Sequence, residues 1–218
     1  NSFDARVGDE KIRIDVYLSP EKISILDNGR GMEEEALADA MILGVKMDLI
    51  RPRQSPRKGL YGLGMKTACA SLGRYYTITT KEHQSGIVSQ LSVDLEQWSS
   101  HAGDKNFKWE ITPVILDDEE SGVLQSMASG TLIEVSKLKD SSPVQGPVAQ
   151  KLGHTYKPHL QTGDVIFVNG TQVPLQEFKL EANSKINIDQ RIKIPGSNSE
   201  IQLSGWAGLD SKTHNDGV

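Results

Sequence analysis

Two glycine clusters set about thirty residues apart constrain this 218-residue chain more than any other feature. The first, Asp27-Asn28-Gly29-Arg30-Gly31-Met32, directly follows an apolar run. The second, Gly59-Leu60-Tyr61-Gly62-Leu63-Gly64-Met65-Lys66, opens onto a helical pattern. Glycine admits left-handed backbone and the close approach of another surface. A helix N-terminus offers unpaired N–H groups and a positive dipole end to an anion, so the second cluster reads as a seat for phosphates. An aspartate that ends a strand lies at the rim of a sheet, where its carboxylate can accept from an exocyclic amine such as adenine's. The first cluster therefore reads as the seat of a base. Plain alternatives stand beside both: Asn-Gly is a common turn, and glycines also serve tight packing. The GxxGxG spacing lacks the strand lead-in of a dinucleotide fingerprint and the Gly-Lys-Ser/Thr ending of a P-loop.

The rest of the chain builds around these clusters. Ile12, Ile14, Val16 and Leu18 alternate with Lys11, Arg13, Asp15 and Tyr17, the pattern of a half-buried strand. A turn at Ser19–Lys22 leads into a second strand, Ile23–Ile25, that runs into Asp27. Glu33, Glu34 and Glu35 suit a first helical turn, with Leu37, Ala40, Met41 and Gly44 at helical spacing. Val45–Lys58 holds Lys46, Arg51, Arg53, Arg57 and Lys58 and reads as a mobile lid or as a solvated basic run. Met65, Ala68, Cys69 and Leu72 share one helical face, and Gly73 reads as that helix's stop. Strands are expected at Tyr75–Thr80, Ile87–Val93, Phe107–Ile115 and Gly130–Val135, the last in a central position. Lys139–Pro147 reads as a linker. A weak helix at Val148–Leu160 follows, then a strand at Val165–Val168 with an Asn169-Gly170 hairpin turn. Further strands at Ile186–Ile194 and Glu200–Trp206 give the impression of a second, strand-rich domain.

Composition narrows the function classes. No apolar run approaches a membrane span, and no basic, apolar, small-residue series marks a secretory signal. One cysteine, Cys69, rules out an internal disulfide and favours a reducing compartment, the cytoplasm or, in a eukaryote, the nucleus. A net charge of −5 argues against nucleic-acid binding through bulk charge. The five histidines have no ligand spacing among themselves or with Cys69, so zinc is not expected. Asn1 offers a neutral carbonyl oxygen suited to magnesium, a hard cation, and Asp4 would share its helical side. Thr131, at a strand start, can donate a hydroxyl hydrogen bond beside Asp27. Asn1–Ala5 resembles a helix tail and Asn215–Val218 a turn without its next strand, so the chain is expected to be a piece of a longer protein.

In this order, Asn1–Ala5, Asp27–Met32, Gly59–Lys66 and Gly130–Ile133 resemble the GHKL ATPase superfamily of DNA gyrase B, the ninety-kilodalton heat-shock chaperone, MutL, MORC proteins and sensor histidine kinases. Tyr61–Thr67 with Leu72-Gly73, Lys66 above all, looks most like the MORC- and MutL-like branch. The resemblance implies the Bergerat ATP-binding fold, an α/β (α+β) two-layer sandwich with a mixed, mostly antiparallel sheet and helices on one face. It implies an ATP-binding domain at 1–138, a linker at 139–147 and part of a transducer-like domain at 148–218. It assigns magnesium to Asn1, the adenine amine to Asp27 with help from Thr131, and the base's lining to Gly29, Gly31 and Met32. The phosphates would be wrapped by Gly59, Leu60, Tyr61, Gly62, Leu63, Gly64, Met65 and Lys66. A general-base glutamate is expected upstream of Asn1, so ATP hydrolysis is expected of the intact protein. An ATP-dependent homodimer is implied, with DNA or a client protein engaged through other domains. The rival readings are a histidine kinase catalytic domain and a non-hydrolysing interaction scaffold.

Overall fold

In β1 (Arg13–Leu18) the alternating apolar positions Ile14, Val16 and Leu18 turn to one side and pack in one cluster. The computed structural model describes residues 2–42, 63–107, 111–139, 147–175, 181, 183–193 and 200–209. β2 (Lys22–Asp27), β3 (Gly73–Lys81), β4 (Val88–Asp94), β5 (Val114–Ile115), β6 (Gly130–Leu138), β7 (Val165–Val168) and β8 (Thr171–Gln172) join β1 in one sheet. Its order is β5-β4-β3-β6-β2-β1-β7-β8. All pairs are antiparallel except β1 with β7.

Among the described residues five helices supply the second layer: α1 (Glu34–Asp39), α2 (Gly64–Leu72), α3 (Leu95–Ser100), α4 (Val148–Thr155) and α5 (Lys157–Gln161). Leu37 of α1 and Cys69 of α2 are buried against Ile23, Tyr76, Ile78, Leu91, Val93 and Val135. A second cluster gathers Ile12, Ile14, Val16, Ile166 and Val173 under Ala149, Leu152, Tyr156 and Leu160. Leu18 and Ile25 pack against both clusters, so one apolar face runs across the sheet. The opposite parity is more mixed: the register row Ser24, Glu134, Thr77 and Ser92 is polar, while Leu26 pairs with Leu132. The expected two-layer architecture, mostly antiparallel with helices on one face, is therefore the observed one.

By contacts the chain divides into two compact units. Residues 148–175 belong with the first unit, Asn1–Leu175, and the second unit is Gln176–Val218. The reason is long-range pairing: β7 lies parallel to β1, and parallel neighbours need a crossover, which α4 and α5 provide. Residues 140–146 of the expected linker lie outside the described residues. The second unit contains an antiparallel hairpin, β9 (Ile186–Lys193) with β10 (Glu200–Ala207).

Smaller differences have local causes. The expected helix over 148–160 is two helices that meet at Tyr156, with a proline in the first turn of the second. Of the strand expected over 107–115, only Val114–Ile115 pairs among the described residues. Gly73 is no left-handed stop. Its φ is −146°, β3 begins on it, and a Cβ there would meet Ser136 O at 2.4 Å.

Candidate nucleotide-binding site

β2 ends on Asp27, and the side chains level with it interrupt the apolar face. Asp27 pairs with Thr131 on β6, Thr131 with Thr80 on β3, and Thr80 with Ser89 on β4. Four polar side chains thus form one row across the helix-covered side of the sheet. Asp27 is 6% exposed and Thr80 fully buried.

Each member of the row has a partner. The Gly29 N–H donates to Asp27 Oδ1 at 2.9 Å, and the Ser2 hydroxyl and the Thr131 N–H also donate to the carboxylate. Burial pushes the Asp27 carboxyl above its ordinary range, and these three donors pull it back only in part. Thr80 Oγ1 accepts from the Met32 N–H at 2.9 Å and lies 3.2 Å from both Gly130 O and Thr131 Oγ1.

The first glycine loop is stitched into protein on both sides. The Arg30 N–H donates to Ala5 O at 2.7 Å, and the His83 N–H donates to Arg30 O at 2.9 Å. A Cβ on Gly29 would lie 2.7 Å from Ala5 Cβ. One on Gly31 (φ +67°) would lie 1.9 Å from Lys81 O. Both glycines are therefore required by neighbouring protein, a need the reading of them as a platform for a flat base did not foresee. The 3₁₀ turn Ser2–Ala5 carries Asp4 and delivers Ser2 to Asp27.

The start of the second cluster, Gly59, Leu60, Tyr61 and Gly62, lies outside the described residues, as do Asn1 and the basic loop at 46–58. The described chain resumes at Leu63, which sits at the N-cap of the nine-residue α2 without a side-chain cap. Among the described residues nothing lies within 4 Å of a Cβ built on Gly64. A helix start without a side-chain cap leaves N–H groups that can receive an anion. Met65 packs against the same core cluster as Met32, which ties the helix to the first loop. Lys66 turns the other way. Its Nζ donates to Ala40 O (2.6 Å) and Ile42 O (2.9 Å), the carbonyls at the end of α1, and burial lowers its pKa. Its ammonium thus serves helix packing, whereas the sequence grouped Lys66 with the phosphate-wrapping backbone.

A cavity of about 400 Å³ beside the row is lined by Met32, Ser89, Ile87 and Ile115, with Glu33, Glu34 and Glu82 also on its wall. Those carboxylates would repel a polyphosphate, so this cavity is not its seat. The sequence reading brought Asp27 and Thr131 together and missed Thr80, Ser89 and Ser2. A signal for Thr80 existed: it keeps the parity of Tyr76 and Ile78 and is the polar residue that ends their apolar series.

The family model described as histidine kinase-, DNA gyrase B- and HSP90-like ATPase matches residues 1–131, both glycine clusters included. The chain belongs to this GHKL-type ATPase family. No curated relative matches the chain. As a GHKL-type domain it is an ATP-binding module. Its match ends on Thr131, the residue paired with Asp27. No helix among the described residues is long and apolar enough to cross a membrane.

Proposed function

We propose that this GHKL-type domain binds ATP with magnesium through the residues around Asp27, and that the intact protein hydrolyses ATP slowly. The observation that carries the reading is the buried Asp27 carboxylate level with the Thr131 hydroxyl, on the side of the sheet that α1 and α2 cover. An acceptor beside a donor matches the amine and adjacent ring nitrogen of adenine. Guanine would set a carbonyl against the carboxylate, two acceptors facing each other.

Asp27 accepts from the amine, Thr131 donates to the ring nitrogen directly or through a water, and Met32 walls the base. The Gly59–Lys66 backbone faces the phosphates, and the Asn1 side-chain carbonyl holds the ion. Magnesium, when bound, neutralises charge on the phosphates. These residues bind and orient. Nucleotide state would order the 46–58 loop and so control dimerisation and a partner, DNA or a client protein held by other domains. We place the chain in the MORC- and MutL-like branch on Tyr61–Thr67, with residues 148–218 read as transducer-like.

Titration with a non-hydrolysable ATP analogue, with and without magnesium, tests this. Asp27→Asn is expected to abolish binding, and Asn1→Ala to weaken mainly the magnesium-dependent part. Unchanged affinity in the Asp27 variant would end the adenine assignment.

A further inference from the structure

A fully buried hydroxyl with three partners stands directly behind the two groups assigned to the base. Thr80 Oγ1 takes the Met32 N–H at 2.9 Å and has Thr131 Oγ1 and Gly130 O each at 3.2 Å. A threonine hydroxyl has one proton and two lone pairs. Met32 uses one lone pair, so two arrangements of the remaining bonds exist. In one, Thr80 donates to Gly130 O and accepts the Thr131 proton. In the other, Thr80 donates to Thr131, whose own proton is then free for the pocket.

We propose that Thr80 is a positioning residue of the base site: it anchors the Met32 backbone and holds the Thr131 hydroxyl as a donor toward the ring nitrogen of the base. The inference rests on the ATP-binding reading and extends it to a residue on a neighbouring strand. With the two acceptors of the Thr80 proton equally distant, the ligand breaks the tie. A ring nitrogen drawing the Thr131 proton makes Thr131 a better acceptor, and Thr80 then donates to it, each bond strengthening the next. Thr80 touches neither ligand nor solvent in this arrangement and acts only through Met32 and Thr131.

The test compares two ligands, a non-hydrolysable ATP analogue and its 1-deaza counterpart, which lacks the ring nitrogen. In Thr80→Val the ATP analogue is expected to bind about tenfold more weakly, the scale of one misdirected hydrogen bond. The 1-deaza ligand is expected to lose at most about threefold, since it never used that bond. Thr80→Ser, which keeps the hydroxyl, restores the difference. Hydrogen exchange at the Met32 amide should accelerate in the valine variant and not in the serine variant, with or without nucleotide. Equal losses for both ligands, or an unchanged Met32 amide, would overturn the proposal. Should the valine variant fail to fold, Thr80→Cys keeps the size with a weaker acceptor and carries the same expectation. Failure of the unmutated protein to bind the ATP analogue would instead sink the ATP reading itself.

Discussion

Asp27 carries a folding cost for its place in the site. Desolvation raises its pKa above the ordinary 3.8, against the Ser2 hydroxyl and the Gly29 and Thr131 N–H groups that favour the charged form. A carboxyl whose folded-state pKa is raised contributes most below its unfolded value, and the contribution is lost as pH rises through the folded value. At neutral pH the ionised Asp27 is therefore a net burden on the fold. Asp27→Asn removes the titration while leaving an oxygen to accept from Gly29. The variant is expected to melt at or above the parent's temperature at pH 7, with a flatter stability profile above pH 3.8. It should lose ATP-analogue affinity by about 100-fold or more, because an amide donor would face the amine of the base. Thermal melts across that pH range, paired with the titration, check both halves. A variant that melts lower at neutral pH and more steeply with pH would show that the charged form is the favoured one in the fold.

At the scale of elements, the two glycine clusters answer to different demands. Gly31 combines a left-handed φ of +67° with backbone pressed against Lys81 O, so any Cβ both strains the turn and collides with β3. Gly31→Ala is expected to cost about 3 kcal/mol in urea unfolding. Gly64, at the start of α2, meets nothing within 4 Å among the described residues. Gly64→Ala should leave stability unchanged or raise it by less than about 1 kcal/mol, yet weaken the ATP analogue where phosphate must approach the backbone. A Gly31 variant as stable as the parent would remove the structural claim, and a Gly64 variant with full affinity the functional one. Much of this level was legible in the sequence. Strict alternation marked β1, strands were expected where β3 and β4 lie, the carboxylate before glycines marked the end of β2, and one apolar helical face marked α2. What was not legible depended on partners far along the chain. Gly73 is a glycine because Val135 and Ser136 lie against it, and Lys66 is buried because the end of α1 offers it two carbonyls. Neither partner is visible in a local window.

For the whole molecule, the segment after residue 147 is structural to the site although the family match stops at Thr131. Phe3 stacks on His159 with ring centroids 3.9 Å apart and meets Tyr156 at 5.2 Å. Arg6 Nη2 lies 2.6 Å from Oδ2 of the buried Asp164, whose Oδ1 accepts from the Ile12 N–H at 2.9 Å. The turn that delivers Ser2 to Asp27 is thus seated from behind by residues about 155 positions later, and β7 covers the β1 edge. What the sequence could not display is the pairing of β7 with β1, which joins residues about 150 positions apart. Burial alone would raise the Asp164 pKa, but Arg6, the Ile12 N–H and His159 overcome it and lower it. Its stabilisation is therefore present above the unfolded value of 3.8 and lost as pH falls through the folded one, so the clamp should be acid-sensitive. Shortened chains give the decisive comparison. A chain ending at Leu138 would leave β1 as a bare edge with Ile12, Ile14 and Val16 uncovered and Phe3 and Arg6 without their partners. It is expected to lose the cooperative unfolding transition and nucleotide binding together. A chain ending at Leu175 is expected to keep both at the level of the 218-residue chain. Cooperative unfolding with full affinity in the shorter chain would mean that α4, α5 and β7 are an appendage and that the site assembles without them.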